Sequence, residues 1–298
     1  MNGFLLIDKP QGITSHAVVQ KVRRACKIRR VGHAGTLDPL ATGLLLVAVG
    51  QATRLVEYLM AEDKRYRTTL RFGLVTDSQD ITGEVVAEHS VPDFSLGQLE
   101  TVCQRFVGEI DQVPPMFSAL KKNGVPLYRL ARRGEEVERQ KRRITIHAID
   151  LLSIDGAEVT LDVHCSKGTY IRTLCHDIGQ ALGCGGCMTA LRRLSSGLFD
   201  SSQLISLDQL EAGSFNLLSP LDGFVGYPRL DVDEAGISRL REGIPPRLEQ
   251  VSGALPQQGE PLLLTAAGHL LAIAVADTLH QREQRGDFKL LKVFPEGI

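Results

Sequence analysis

No apolar run in this 298-residue sequence approaches the roughly 20 residues that a helix needs to cross a bilayer, so neither a membrane span nor a membrane partner is expected. The amino terminus, Met1 to Pro10, lacks a basic segment ahead of its short apolar run and a small-residue cleavage site after it. It reads as a first strand of a cytoplasmic protein rather than as an export signal. The common phosphate-cradling loops are missing: there is no G-x-x-x-x-G-K-[ST] and no G-x-G-x-x-G after a strand. The six cysteines are irregularly spaced, and the short pair Cys184 and Cys187 has no matching second pair. That argues against a disulfide framework and against a zinc centre, and no metal is expected.

A large excess of either charge is missing too, the formal net charge being -1 with 23% charged and 43% hydrophobic residues. Such a chain is globular and long enough for one large domain with a small appendage. The distribution of charge says more than its sum. Lys21, Arg23, Arg24, Lys27, Arg29 and Arg30 form one basic segment without an acid, and Lys121 to Arg143 holds nine bases against Glu135, Glu136 and Glu138. Each segment alone reads as a solvated face; together they suggest surfaces that meet a polyanion.

Periodicity predicts a helix from Thr14 or Ser15 to about Lys27, a buried strand over Leu44 to Val49, and a short helix over Ala52 to Met60. Over Lys64 to Phe72 the alternation puts Tyr66, Thr68, Leu70 and Phe72 on one face and Arg65, Arg67, Thr69 and Arg71 on the other. Further strands are expected over Glu84 to Glu88, Arg143 to Ile154 and Glu158 to Cys165, with helices over Leu96 to Phe106 and from Arg172 to about Leu182. Leu191 is read as part of a helix. Gln112 to Asn123, with Pro114 and Pro115, resists regular structure and opens a protruding insertion over about 112–143. Loop-like composition around Leu217 to Pro228 sets a boundary near 228, with a large domain over 1–228 and a small β-rich one over 229–298. Strands and helices mix without a strict βα repeat, which favours α+β over a doubly wound sheet.

The residue that most needs explaining is Asp38, in Gly32-His33-Ala34-Gly35-Thr36-Leu37-Asp38-Pro39-Leu40-Ala41-Thr42-Gly43. Pro39 disfavours helical geometry at Asp38, and the glycines permit close approaches, so a carboxylate is held beside a core strand. It is a candidate nucleophile or base. Taken alone, the loop fits an ordinary surface turn better, just as Tyr66 taken alone fits a core tyrosine.

Several motifs occur in one order: Leu6-Ile7-Asp8-Lys9-Pro10-x-Gly12-x-Thr14-Ser15, the Asp38 loop, Asp63-Lys64-Arg65-Tyr66, Pro115 to Lys121, Cys165 to Arg172 and Leu191-Arg192-Arg193-Leu194. This ordered set, over roughly the first 230 residues, closely resembles the TruB family of tRNA pseudouridine-55 synthases. The remainder loosely resembles their small PUA-like RNA-binding domain. The resemblance implies the pseudouridine synthase catalytic fold, with a mixed, largely antiparallel sheet and flanking helices. It also implies isomerisation of the T-loop uridine 55 of tRNA by base flipping, without a cofactor, in a cytoplasmic stand-alone monomer with no guide RNA and no obligate protein partner.

Carried over by position, the resemblance makes Asp38 the catalytic aspartate, Arg172 its paired arginine and Tyr66 the ring that stacks on the target base. It makes His33 a holder of the rearranged T-loop and sets Tyr170 and Leu191 against the uracil. Lys64 is expected to aid loop packing or phosphate contact, and Lys121, Arg132 and Arg133 to close over RNA. Two other readings are a catalytic subunit of a guide-RNA particle and an RNA chaperone in which catalysis is unimportant.

Overall fold

The structure is a computed structural model that describes residues 1–276 and 287–298. Strand β1 (Gly3–Lys9) leads into α1 (Ser15–Cys26); β2 (Val31–His33) and β3 (Thr42–Val49) flank the Asp38 loop. A 3-10 turn and α2 (Val56–Leu59) precede β4 (Lys64–Phe72), the hairpin of β5 (Leu74–Thr76) and β6 (Val85–Glu88), α3 (Leu96–Gln104) and β7 (Gly108–Gln112). The insertion carries β8 (Lys121–Lys122), β9 (Val125–Pro126) and α4 (Leu127–Ala131). It is followed by β10 (Arg142–Asp155), β11 (Glu158–Cys165), α5 (Ile171–Leu182), β12 (Gly186–Ser196), β13 (Phe199–Asp200) and α6 (Leu207–Glu211). The last stretch holds β14 (Arg229–Val232), α7 (Glu234–Arg241), β15 (Val251–Ser252), β16 (Pro261–Ala266), β17 (His269–Ala276) and β18 (Phe288–Val293).

These elements make an α+β fold around a nine-stranded sheet of order β1-β3-β12-β4-β11-β10-β7, with β2 added to β3 and β13 to β12. Neighbours run antiparallel except β3 and β12, which pair in parallel, so the sheet is mixed and largely antiparallel. Strand β1 is buried on both faces. Its Leu5 and Ile7 join a core with Val18, Val19 and Val22 of α1, while Phe4 and Leu6 face the other way onto Leu44, Leu46 and Phe224. Double burial is why the run over Leu44 to Val49 is continuously apolar instead of alternating.

Helix α1 starts where its cap dictates, the Thr14 side chain accepting from the Ala17 N–H, and stops at Lys27 in the left-handed region. Strand β4 alternates as its sequence predicts, with Arg65, Arg67 and Arg71 exposed and Thr68, Leu70 and Phe72 buried.

Several assignments differ from expectation. The short helix over Ala52 to Met60 is a 3-10 turn up to Leu55 and α-helical only over Val56–Leu59, and Lys121–Lys122 pair as a strand. Leu191 lies on β12, in the middle of the sheet, and not in a helix. Register shifts between Met188 and Ala190 and between Arg193 and Ser195 interrupt the alternation of β12, which hides the strand from a period-two reading. Gln112 closes β7, which pairs with β10, so irregular chain begins one residue later than expected.

The second sheet, of order β15-β14-β16-β17-β18, begins at Arg229. Its Leu263, Leu270 and Ile273, with Phe294 and Ile298, share one core with Phe4, Leu44 and Leu46. Arg54 adds a guanidinium over the Phe294 ring and a hydrogen bond to the Val293 carbonyl.

Candidate active site

The loop that carries Asp38 is held from three sides. From the first motif, the Lys9 ammonium donates to the carbonyls of Ala41 (2.6 Å), Pro10 (2.9 Å) and Pro39 (3.4 Å). Ser15 both donates to the Leu37 carbonyl and accepts from the Leu37 N–H, and the Gly12 N–H donates to Pro39. Burial draws the Lys9 ammonium down to about 8, against the opposing pull of Asp38. From β12, Arg193 donates to the carbonyls of Leu44 (2.6 Å) and Gly35 (3.2 Å). Gly43 sits at φ +91° with the Arg193 carbonyl 2.4 Å from where a Cβ would stand, so no side chain fits there.

On the third side stands Arg172, 5% exposed at the start of α5. Its Nε lies 3.0 Å from Asp38 Oδ2 and its Nη1 3.3 Å from Asp80 Oδ2. Nη1 also donates to the Ser78 carbonyl (3.1 Å) and Nη2 to the Phe117 carbonyl (2.7 Å). One guanidinium thus joins the Asp38 loop, the turn after β5 and the start of the insertion. Asp80 is locked in turn, its Oδ1 accepting from Ser78 Oγ, the Thr82 N–H and Thr82 Oγ1.

The Asp38 side chain keeps 37% of its surface exposed, yet the surrounding protein is dense enough to change its titration. Burial pushes its pKa above the ordinary carboxylate range, Arg172 and Lys9 oppose that shift, and Asp80 adds to it. The arginine therefore orients the carboxylate and favours its ionised form.

Tyr66, on β4, and Tyr170, just before α5, lie close enough for the Asp38 charge to act on both phenols, and burial raises both. The backbone of Tyr170 is fixed by Gln112, whose amide accepts from its N–H (2.8 Å) and donates to its carbonyl (3.1 Å). Leu191 is 8% exposed and pairs with Thr68, two residues along β4 from Tyr66. His33 ends β2, where burial first and Arg193 second hold its imidazole below the ordinary range, and its Nδ1 is buried without a partner among the described residues.

A model of the family described as TruB family pseudouridylate synthase (N terminal domain) matches residues 23–171, and one for the tRNA pseudouridylate synthase B C-terminal domain matches 172–222. The chain belongs to the TruB family. It is 50% identical to a tRNA pseudouridine synthase B from Syntrophotalea carbinolica, over 100% of this chain and 99% of the relative. To the protein of that name from Geobacter sulfurreducens it is 45% identical, over 99% and 100%. Among solved structures it resembles a chain of the archaeal box H/ACA sRNP Nop10-Cbf5 complex, with TM-score 0.71 and 25% identity over 98% of this chain and 85% of that one.

Within this TruB-family chain, the contacts of Lys64 match the loop-packing alternative rather than the phosphate contact. Its residue is 7% exposed and its ammonium donates to the carbonyls of Met60 and Glu62, so it braces the entry to β4. Lys121, Arg132 and Arg133 are exposed on the insertion. With Lys122, Lys141 and Arg142, Lys121 lines a basic groove of about 370 Å³. Asp80, Gln112 and Arg193 were not legible as site residues, because a carboxylate in a turn reads as a cap and an arginine in an obscured strand reads as surface. For a metal, the convergent set among the described residues is Asp63, His147 and His164 on the outer face of the sheet. The cysteines do not join it, being buried as free thiols.

Proposed function

We propose that this chain converts a uridine in the T-loop of tRNA, at position 55, to pseudouridine. The observation that carries the reading is the Asp38–Arg172 pair, 3.0 Å apart and near enough to Tyr66 and Tyr170 for the carboxylate charge to act on both, in a chain 50% identical throughout to a tRNA pseudouridine synthase B. In the reaction the N1–C1′ bond breaks, the uracil turns, a C5–C1′ bond forms, and the C5 proton leaves to solvent. The detached base is itself the nucleophile that returns to C1′, so no water needs activating and one ionised carboxylate suffices, unlike the paired carboxyls of glycosidases. Asp80 supports this division of labour, its two oxygens being committed to Arg172, Ser78 and Thr82.

In this reading Tyr66 stacks on the flipped base, Tyr170 and Leu191 line the uracil, and His33 holds the opened loop. Lys121, Arg132 and Arg133 meet phosphates. Residues 229–298 serve as a PUA-like RNA-binding unit beside the catalytic unit of residues 1–228. The enzyme acts in the cytoplasm as a monomer without cofactor.

The likeness to a Cbf5-containing complex raises a second reading, a subunit directed by guide RNA. The full-length identity to tRNA pseudouridine synthase B proteins favours stand-alone action. Tritium release from free tRNA labelled at uracil C5, with no added RNA or protein, decides between them. Asp38→Asn is expected to lower release by about 10⁴-fold or more. Undiminished release by Asp38→Asn would remove Asp38 from the chemistry.

A further inference from the structure

Among the described residues Arg193 is the largest fully buried side chain, at 1% exposed. Among the described residues no carboxylate pairs with it, whereas buried Arg172 has two. A desolvated guanidinium facing only neutral acceptors is unfavourable unless its hydrogen bonds are well placed, so its surroundings indicate what it does.

Those surroundings are specific. On β12, Arg193 pairs in register with Tyr66 of β4 on one side and with Gly43 of β3 on the other. Its Nε and Nη2 hold the carbonyls of Leu44 and Gly35, which bracket the loop carrying Asp38. Its Nη1 approaches Gly35 so closely that a Cβ there would lie 3.3 Å away. Directly opposite residues of an antiparallel pair project from the same face, so the Tyr66 ring stands beside the Arg193 side chain. The strand bulges directly after Arg193, a device that re-aims side chains beside active sites.

We propose that Arg193 is a positioning residue which ties the Asp38 loop to the neighbouring Tyr66 side chain, so that carboxylate and phenol face the flipped base across a fixed gap. This rests on the reaction proposed above. The Asp38 loop leads into β3 and Tyr66 lies on β4, strands that do not touch because β12 lies between them, so within the sheet their spacing passes through β12. A rigid planar fork with donors on both edges can hold both neighbours at once; an ammonium, a point donor on a flexible stem, cannot.

The test compares Arg193→Met and Arg193→Lys with the wild type on full-length protein. Arg193→Met is expected to lower the single-turnover rate on saturating tRNA by about 10²-fold while changing tRNA affinity less than about threefold. A second measurement follows the Tyr66 phenol by ¹⁹F NMR in protein carrying 3-fluorotyrosine, its signal assigned by loss in Tyr66→Phe. Burial raises this phenol and Arg193 opposes the rise, with Cys165 and Asp38 on the side of burial. The Tyr66 titration should therefore move to higher pH in Arg193→Met. In Arg193→Lys it should stay near the wild-type position, with the rate only partly restored. A rate within about threefold of wild type in Arg193→Met, or an undisplaced Tyr66 titration, would overturn the proposal. Should Arg193→Met fail to fold, Arg193→Lys decides alone: a full rate sinks the clamp, and a reduced rate with the titration kept supports it. Wild-type protein inert on tRNA, with the titration still displaced in Arg193→Met, would sink the reaction and leave the clamp standing.

Discussion

The Asp38 site and the insertion use the same basic residue types in opposite ways. Around Asp38, Arg172, Arg193 and Lys9 are buried and their donors end on carboxylates or backbone carbonyls within the fold. On the insertion, Lys121, Lys122, Arg132 and Arg133 are exposed, and the one ion pair among them, Arg133 with Glu135, is long at 3.9 Å. A buried arginine converts its charge into direction, because its few partners are fixed and poorly screened. An exposed one retains its charge for a polyanion and loses most of it to salt.

The sharpest way to break that contrast is Arg172→Met. It should lower turnover by about 10³-fold or more, because Asp38 loses both its orientation and its nearest cation. Leaving buried Asp80 without its guanidinium should also destabilise the fold by about 3–5 kcal/mol, readable by denaturant titration. Since Arg172 holds the Asp38 pKa down, the acid limb of the pH–rate profile should move to higher pH in this variant.

Asp80→Asn should act in the same direction on rate but less strongly, by about 10- to 100-fold, because Arg172 keeps its bonds to Ser78 and Phe117. Its pH signature is opposite. Asp80 raises the Asp38 pKa, so its neutralisation should move the acid limb to lower pH. Parallel shifts in the two variants would contradict the arrangement.

For the insertion, replacing Lys121, Arg132 and Arg133 together by Ala should weaken tRNA binding at low salt and flatten the log K against log[salt] slope by about two to three. The single-turnover rate at saturation should be unchanged. An unaltered slope would place the RNA elsewhere on the surface.

The smallest effect concerns burial without a partner. Desolvation pushes the Asp177 carboxyl, on α5, up to about 6. The folded state then holds a proton that the unfolded chain releases near its ordinary value of about 3.9. Stability from this group is present at low pH and is lost as pH rises through 6. Asp177→Asn should accordingly raise Tm at pH 8 by about 2 °C, and leave it unchanged near pH 4.

Elements with regular alternation were legible from the sequence, and those whose pattern is set by neighbours were not. β4 and β11 show their inward faces residue by residue, and α1 announces its cap at Thr14. β12 escaped because its bulges break the period, and β7 because Gly108-Glu-Ile-Asp-Gln is too polar to stand out until β10 pairs with it. At the site, the ordered motifs singled out Asp38, Tyr66 and Arg172. They did not reveal that Lys64 turns inward to carbonyls, or that Asp80 and Gln112 fix Arg172 and Tyr170.

What the chain determines by itself is local: a carboxylate before proline, a cap before a helix, a strand's two faces, and which short segments carry charge. Each follows from dihedral preferences and side-chain period, which act over a few residues. Tertiary structure alone decided which arginines became buried and fixed and which remained exposed. That outcome depends on the desolvation and hydrogen-bond partners supplied by segments far apart in sequence, as when Arg172 meets Asp38, Asp80 and Phe117 at once.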